Sequence, residues 1–532
     1  MRPPKIESSS PPAPHMTFNL FLIQLVVFTA IFMLTQATRL PRGWLAAIAI
    51  VVMALIGSFL TIPEWAGFVS GSLWALLILL PIIGFARVNR LVSQEQYRQA
   101  SYLASWLRWL HPADGFMEYP QLLHGLDLAK QGSLSEAKQL LSKYETNLTP
   151  TGRMAKATLY RMEAQWAELV AWVQSSIPEK TLYREVWLGA AYLRSLGELG
   201  DIDGLLQGVE KFEQQLGRPG NPEVLGTVRL YALAFCGQTQ SVQRLFETSL
   251  RLYPMQTRQF WLATAEMMAG NRAIAQEILT LLQANKNTTL THAIRWRLTH
   301  PLAHPDQSLT EDSRAILDRI KTAIQQEARY SSQLALTTKK SYATYALIGL
   351  NVVVFAVESV LGGSEDLFVL YQMGALVPED VLMGEWWRAI AAIFLHHGVV
   401  HLLTNMLGLY VFGALVEAAL GRKKYLIAYF FTGIGSMLAV VFLSTLTDST
   451  AQLTVGASGA VLGMVGAEGA IQLKGWWIEK AQIAQERLRL IGMIVILQLF
   501  SDLITPQVSI IGHLSGLSLG FLVGGILFQP KR

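Results

Sequence analysis

The sequence has little cysteine and little charge. Its 532 residues contain one cysteine, Cys236, which excludes an intrachain disulfide and any cysteine-rich metal site. Only 15% of the residues are charged, whereas soluble proteins have about 25%. The net charge is +5, and the basic residues lie beside apolar segments rather than in one patch. We therefore expect a membrane protein with no nucleic-acid partner.

Long apolar runs account for this composition, since a membrane-spanning helix needs about 20 mostly apolar residues. The predicted spans are residues 17–36, 44–62, 68–86, 343–361, 390–413, 424–445, 456–473, 488–504 and 509–528. Such a run is missing between residues 97 and 335. The sequence thus predicts an all-α, polytopic membrane protein. Its predicted regions are residues 1–96 with three spans, a soluble insert at 97–335, and a six-span region at 341–528.

Basic residues beside the spans indicate the topology, because cytoplasmic loops are enriched in lysine and arginine. Arg39 follows the first span, Arg87 follows the third, and Lys339 and Lys340 precede the fourth. This distribution predicts an outer N-terminus and a cytoplasmic insert. We expect an integral protein of the bacterial plasma membrane. No small-residue cleavage site clearly follows the first apolar run, so we expect no cleavable signal peptide.

Residues 97–335 have the pattern of paired helices. Gly132, Gly200, Gly237 and Gly270 follow one another at intervals of 68, 37 and 33 residues, and 68 is twice 34. A helix–turn–helix period of 34 residues is typical of tetratricopeptide repeats. The insert resembles degenerate copies of them, and an unrelated helical array is the alternative. Such arrays usually present a concave surface to a peptide or protein partner, although a spacer or folding scaffold would have the same pattern.

A serine and a histidine stand out in the last region, because polar groups inside membrane spans are costly and suggest function. Ser458 lies near the outer end of span 456–473, in the segment TVGASGAVLGMVGAEGA, and His513 lies near the outer end of the last span. Glycines recur every four residues in both spans and permit close helix contact. His513 can then serve as the base that a serine nucleophile needs. No carboxylate is placed in the sequence to orient His513, so we predict a dyad rather than a triad.

A second polar group lies in span 390–413. His401 and Asn405 are four residues apart and share one helix face. With the backbone N–H of Ser458, they can donate hydrogen bonds to an oxyanion. His396 joins the same pocket if the outer end of this span is helical. Gly398 follows His396-His397, so the sequence has no His-Glu-x-x-His motif, and it offers no third ligand cluster; we therefore expect no metal or cofactor.

These motifs together resemble the rhomboid intramembrane serine proteases. The residues that carry the resemblance are Trp387-Arg388, then His396, His401 and Asn405, then Glu417 and Gly421, then Gly456-Ala457-Ser458-Gly459, and Gly512-His513 with Gly516. They occur in the family's order over residues 341–528, a whole six-helix core.

The resemblance implies a role for each of these residues. Ser458 resembles the nucleophile, His513 the base, and His401 and Asn405 the oxyanion site, with His396 in the polar pocket. The residues expected to be structural are Trp387, Arg388, Glu417, Gly456, Gly459, Gly512 and Gly516, with Arg388 and Glu417 holding the first outer loop.

Two residues depart from the expected pattern. Leu462 stands where many members of the family have an aromatic residue stacked on the catalytic imidazole, and we expect this to affect how rigidly His513 is held rather than whether it works. Glu468 is a charge inside span 456–473. We expect its carboxylate to snorkel toward the cytoplasmic face and assign it no role.

The predicted function is that of an intramembrane serine endopeptidase acting on membrane-protein substrates in the lipid bilayer. One alternative is a catalytically inactive rhomboid-like binder of membrane clients, which loss of Ser458 or His513 would favour, and both are present. Another is a small-solute transporter, which would have inverted repeats and broken helices near the bilayer centre. The sequence has no evident repeat between halves, and its polar residues lie toward one face.

Overall fold

The structure is a computed structural model that describes residues 14–35, 37, 40–113, 115–144, 149–216, 222–284, 287–300, 309–330, 341–447, 453–504 and 509–529. Within these residues the regular structure is helical, apart from an isolated bridge between Leu376 and Thr454. The predicted all-α class is confirmed. The chain divides into two compact units, one spanning Thr29–Gln325 and the other comprising the residues before and after it.

The N-terminal spans are helices, as predicted. They are α1 (Pro14–Thr35), α2 (Arg42–Thr61), α3 (Ala66–Trp74) and α4 (Leu80–Ser93). A π-helical stretch, Ala75–Leu79, joins the last two, so that one continuous apolar segment runs over Pro63–Ser93. Arg39, Lys339 and Lys340, which support the predicted topology, lie outside the described residues, as do 1–13 and the predicted insert boundary at 335.

The next fourteen helices belong to the predicted insert. They are α5 (Tyr97–Leu110), α6 (Tyr119–Gln131), α7 (Leu134–Ser142), α8 (Pro150–Met162), α9 (Trp166–Ser176), α10 (Glu179–Arg184), α11 (Val186–Leu199), α12 (Ile202–Leu216), α13 (Pro222–Phe235), α14 (Thr239–Glu247), α15 (Met255–Met268), α16 (Arg272–Leu282), α17 (Thr288–Thr299) and α18 (Glu311–Tyr330).

The four repeated glycines each mark a turn between two of these helices, as predicted. Their φ angles are +97° at Gly132, +82° at Gly200, +67° at Gly237 and +93° at Gly270. This left-handed conformation costs glycine little because it has no Cβ, which is why glycine so often ends a helix. The turns are compatible with tetratricopeptide-like pairing but do not identify it, so that kinship remains a prediction.

The helices of the last region surround the candidate site. They are α19 (Tyr342–Leu361), α20 (Leu367–Gln372), α21 (Pro378–Leu382), α22 (Arg388–Ala391), α23 (Val399–Gly408), α24 (Ala414–Leu420), α25 (Arg422–Thr447), α26 (Ser458–Glu479), α27 (Gln482–Ile504) and α28 (Ile510–Leu527). Helices α23 and α24 are joined by a π-helical stretch, Leu409–Gly413, and form one span.

Seven described segments are long and apolar enough to cross a membrane, against nine predicted spans. They are Phe18–Thr35, Arg42–Thr61, Pro63–Ser93, Tyr342–Leu361, Val399–Leu420, Arg422–Leu446 and Ile510–Leu527. The two remaining predicted spans coincide with α26 and α27, which are helices of 22 and 23 residues. Residues 459–472 of α26 are all buried, so this part of the helix is surrounded by its neighbours.

The second span of this region begins later than predicted, at Val399 rather than at residue 390. The chain before it makes a short 3₁₀ turn, Ala392–Phe394, and is then extended at Leu395. Gly398 has a φ of +85°, and the N–H of His396 donates to Glu358 Oε1 at 3.1 Å instead of to a helical carbonyl. The helix therefore cannot extend outward through His396.

Helices α26 and α28 touch backbone to backbone. A Cβ added to Gly516 would overlap the carbonyl of Gly459, and one added to Gly520 would overlap that of Gly463. These positions recur every four residues, so a groove of missing side chains runs along the shared face. The prediction that the two glycine-rich faces meet is confirmed.

This contact predicts a local sensitivity to one added methyl group. Gly520→Ala should destabilise the protein by about 1–3 kcal/mol, because the new Cβ can be accommodated only if the helices separate. Gly525→Ala is the matched control on the same helix, since its nearest neighbour would lie at 4.0 Å, an ordinary contact. Thermal unfolding in detergent would compare the two variants, and equal unfolding temperatures would contradict the close contact.

Glu468 does not snorkel, contrary to the sequence-based expectation. Its side chain is buried and accepts hydrogen bonds from Arg487 Nη1 at 3.1 Å and from Gln472 Nε2 at 2.8 Å. A buried carboxylate is tolerated when a cation and further donors compensate the lost hydration. The pair joins α26 to the beginning of α27, which gives Glu468 a structural role.

Candidate active site

Ser458 is the first residue of α26 and follows a segment that is fixed by backbone hydrogen bonds. Thr454 and Leu376 exchange two bonds of 2.9 and 3.0 Å, and the N–H of Gly456 donates to Ala392 O at 2.9 Å. Because the first N–H groups of a helix have no partner within it, the Ser458 N–H points out of the helix end. The helix dipole also favours negative charge at this position.

Gly456 separates Ser458 from His401. It has a φ of +128°, and the place that a Cβ would occupy lies 2.7 Å from His401 Nε2 and 3.6 Å from Ser458 Oγ. Any side chain here would strike the imidazole. The glycine is thus required both by its backbone conformation and by the approach of the two polar groups.

His513 lies in the first turn of α28, on a helix that packs against the start of α26. Its backbone is held by a hydrogen bond to Ser509 O at 3.0 Å, and the residue is buried. The carbonyl of Gly512 lies 3.6 Å from the Cβ position of Gly459, so His513 and Ser458 are at the same level on facing helices. No hydrogen bond between their side chains is described, and catalytic hydrogen bonds often tighten only when substrate is bound.

A carboxylate lies beside His513, and the expectation that none does is wrong. Asp502 Oδ2, near the end of α27, is 2.7 Å from His513 Nδ1. Its other oxygen accepts from Gln498 Nε2 at 2.8 Å. Asp502 is eleven residues from His513 and on another helix, so their spacing in the sequence does not reveal the contact.

Asn405 and His401 lie on one face of α23, where the sequence places them. Asn405 is 6% exposed, and its Nδ2 has no hydrogen-bond partner among the described residues. A buried donor without a partner is rare and calls for an explanation. In a site built to stabilise an oxyanion, such a donor would be satisfied only during the reaction.

His396 reaches the same pocket without being helical. Its ring centroid is 5.2 Å from that of His401, and its Nδ1 lies 3.2 Å from Phe394 O. Since a carbonyl can only accept, Nδ1 carries the proton, and in the neutral ring Nε2 is then an acceptor. His396 therefore cannot donate to an oxyanion in this form and instead supports the pocket.

Glu358 is a buried acidic residue that the sequence argument missed. It lies on α19 and is 0% exposed, and it accepts the N–H of His396 at 3.1 Å. This bond holds the extended segment that carries His396. The available signal was a carboxylate near the end of an otherwise apolar span, which is costly unless it has a partner.

Arg388 lies among the short helices before α23. Its guanidinium donates to Glu385 Oε2 at 2.5 Å and to the carbonyls of Tyr371 and Ala375 at 2.8 and 3.1 Å. It also lies 5.0 Å from the ring centroid of Trp387. These contacts hold together the short helices and turns that precede the site.

Glu417 holds a different part of the chain from the one expected. Its carboxylate accepts from the N–H of Ala343 at 3.1 Å, and from the N–H and hydroxyl of Thr344, both at 2.8 Å. It therefore caps the beginning of α19 and does not hold the first outer loop. An acidic group at this position satisfies N–H groups that have no partner within the helix.

Two further expectations concern Leu462 and metal binding. Leu462 is packed with Val465 and Ile491 and provides no aromatic ring for the imidazole. Within the described residues, no group of three or more histidine, cysteine, aspartate or glutamate side chains could hold a metal ion.

A serine thus begins a helix that packs against the helix of a buried histidine, and a buried amide without a partner lies on a helix of the same membrane-protein region. This arrangement is of the kind expected in an intramembrane serine protease family. A family model of the Rhomboid domain matches residues 383–530.

Three relatives agree with this match. The chain is 31% identical over 212 residues to the rhomboid protease GluP of Bacillus subtilis, covering 39% of each protein. It is 36% identical over 165 residues to the mitochondrial RHOMBOID-like protein 6 of Arabidopsis thaliana, covering 30% of this chain and 51% of the relative. It is 31% identical over 152 residues to the putative rhomboid protease YdcA of B. subtilis, covering 29% of this chain and 72% of the relative.

These comparisons place the chain in the rhomboid family, to which it belongs. It spans about two fifths of the length of GluP and about half that of the plant protein. No solved structure matches it.

Proposed function

We propose that this protein is an active intramembrane serine endopeptidase, which cleaves membrane proteins within or beside their transmembrane segments. Ser458 is the nucleophile and His513 is the general base. The observation that carries the proposal is the contact of Gly459 with Gly512 and Gly516, because it keeps the two side chains on facing helices at one level.

The reaction follows from these two groups. His513 Nε2 removes the proton of Ser458 Oγ as the oxygen attacks the scissile carbonyl, and the imidazolium then protonates the leaving amine. A water molecule, activated by the same imidazole, hydrolyses the acyl-enzyme. The resting structure exposes part of Ser458, which is consistent with access for a substrate and for water.

The charge of the tetrahedral intermediate is stabilised by donors from two helices. Asn405 Nδ2 and the Ser458 N–H donate, and His401 Nε2 donates when it carries the proton. The N-terminus of α26 adds its dipole. In a site shielded from water such donors act more strongly than in solution, and the unpartnered Asn405 Nδ2 supports this assignment.

The substrate class follows from the location of the site. A serine among membrane helices can reach only a polypeptide that enters the bilayer or lies at its surface. In an intact helix the carbonyl groups are hydrogen-bonded and shielded, so the substrate must be extended locally. Segments with helix-breaking residues would suit this requirement.

We also propose that the helical-repeat region, residues 97–335, is cytoplasmic and recruits a tail or a peptide partner. Arg87 and Arg90 at its entry support this topology under the positive-inside rule. The relatives come from a bacterium and from a plant, so a bacterial plasma membrane remains a prediction.

Labelling with a serine-directed fluorophosphonate tests the proposal. The wild type in lipid vesicles should be labelled at Ser458, and Ser458→Ala should not be labelled. Ser436→Ala is the control, because this buried hydroxyl lies beside Gly459 and donates to Gly433 O at 2.8 Å. Absence of labelling in folded wild type would favour an inactive binder.

A further inference from the structure

A buried carboxylate contacts the candidate base from a third helix. The side chain of Asp502 is 1% exposed, and that of His513 is 9% exposed. Removing a carboxylate from water is costly unless hydrogen bonds and a partner replace its hydration. Asp502 has both, since one oxygen binds His513 Nδ1 and the other binds Gln498 Nε2.

The two hydrogen bonds fix the orientation of the carboxylate. Gln498 lies one helical turn before Asp502 on α27, so its Nε2 can donate to Asp502 Oδ1 within the same helix. An ionised carboxylate only accepts hydrogen bonds, so the proton of the neutral imidazole must be on Nδ1. The Nε2 lone pair is then free to accept the proton of Ser458, which is the tautomer that a general base requires.

We propose that Asp502 is a positioning residue for His513, with Gln498 holding it in place, so that the catalytic group is a triad of Ser458, His513 and Asp502. This inference rests on the proposed protease function. Among the described residues, the bond to Asp502 is the one side-chain hydrogen bond that His513 makes.

The carboxylate also acts during the reaction. When His513 accepts the proton of Ser458 it becomes positively charged, and the charge of Asp502 at 2.7 Å stabilises it. Burial strengthens this interaction because little water screens it. The aliphatic side chain of Leu462 can offer neither a hydrogen bond nor a ring face in its place.

The test measures kcat and KM for a reporter transmembrane substrate in proteoliposomes. Asp502→Asn has the same shape but lacks the charge and can favour the wrong tautomer. We expect kcat to fall by about 10²–10⁴-fold with little change in KM. Gln498→Ala should lower kcat by a smaller factor, because Asp502 would keep its bond to His513. Leu503→Ala, an exposed neighbour on α27, is the control and should leave both constants unchanged.

The outcomes separate this inference from the proposed function. If the wild type does not cleave or react with fluorophosphonate, the protease function itself fails. If the wild type cleaves and Asp502→Asn keeps its kcat, only the triad is wrong. Thermal unfolding of each variant would reveal misfolding, and a loss of kcat that merely follows the loss of folded protein would also overturn the positioning role. Asp502→Glu, which retains the charge, should recover part of the lost kcat.

Discussion

Ser458→Ala should abolish cleavage of a transmembrane substrate while leaving thermal unfolding nearly unchanged. The hydroxyl is the nucleophile in the proposed reaction, and the alanine variant has no nucleophile at the start of α26. Ser458 is only half-buried, so removing one oxygen leaves little empty volume and no large loss of packing. Cleavage would be followed by gel analysis of a labelled substrate in proteoliposomes.

The comparison with Ser436→Ala makes this prediction specific. Ser436 is a buried hydroxyl whose side chain packs on Gly459, so its loss changes the same helix interface without touching the nucleophile. We expect Ser436→Ala to cleave at nearly the wild-type rate. Substantial cleavage by Ser458→Ala would refute the assignment, and equal losses in both variants would attribute the effect to packing.

The candidate nucleophile and base could be proposed from the sequence because their chemistry is visible in single residues. A serine nucleophile needs a base close to it, and a histidine can serve as that base. The four-residue spacing of the glycines beside both residues indicates that their helices touch. The structure contains this contact at Gly459, Gly516 and Gly520. Local signals of this kind survive because the helix period fixes which residues share a face.

The carboxylates were harder to predict. Asp502 and Glu358 depend on the rotation of α27 and α19 about their axes, which packing against other helices determines. The sequence pattern of a charged residue near the end of a span is the same whether its side chain faces water or a buried histidine. The sequence therefore does not reveal that Asp502 binds His513 at 2.7 Å. Glu417 was misplaced for a similar reason, since its partners lie more than seventy residues earlier in the chain.

The limits of the second span show a different kind of error. Residues 390–395 are all apolar, so composition alone starts the helix too early. The backbone instead leaves the helix at Gly398, with a φ of +85°, and the N–H of His396 finds a side-chain acceptor in Glu358. Hydrophobicity cannot reveal such a change because it does not record where backbone hydrogen bonds go.

His513→Ala should lower the cleavage rate by about 10⁴-fold, since a serine without a base is a weak nucleophile. Asn405→Ala should have a smaller effect, about 10²-fold, because His401 and the Ser458 N–H remain as donors. Single-turnover rates with one reporter substrate would compare the variants. Combining His513→Ala with Ser458→Ala should add no further loss, because residues that act in one step are not additive.

The Asn405 variant also separates catalysis from folding. Its Nδ2 has no described partner in the resting protein, so Asn405→Ala removes no hydrogen bond of that donor and should change unfolding little. A structural role predicts the opposite, a lower unfolding temperature with losses equal to those of His513→Ala and Ser458→Ala. A lower rate at an unchanged unfolding temperature would indicate that the amide acts in the transition state, where the oxyanion first gives it an acceptor.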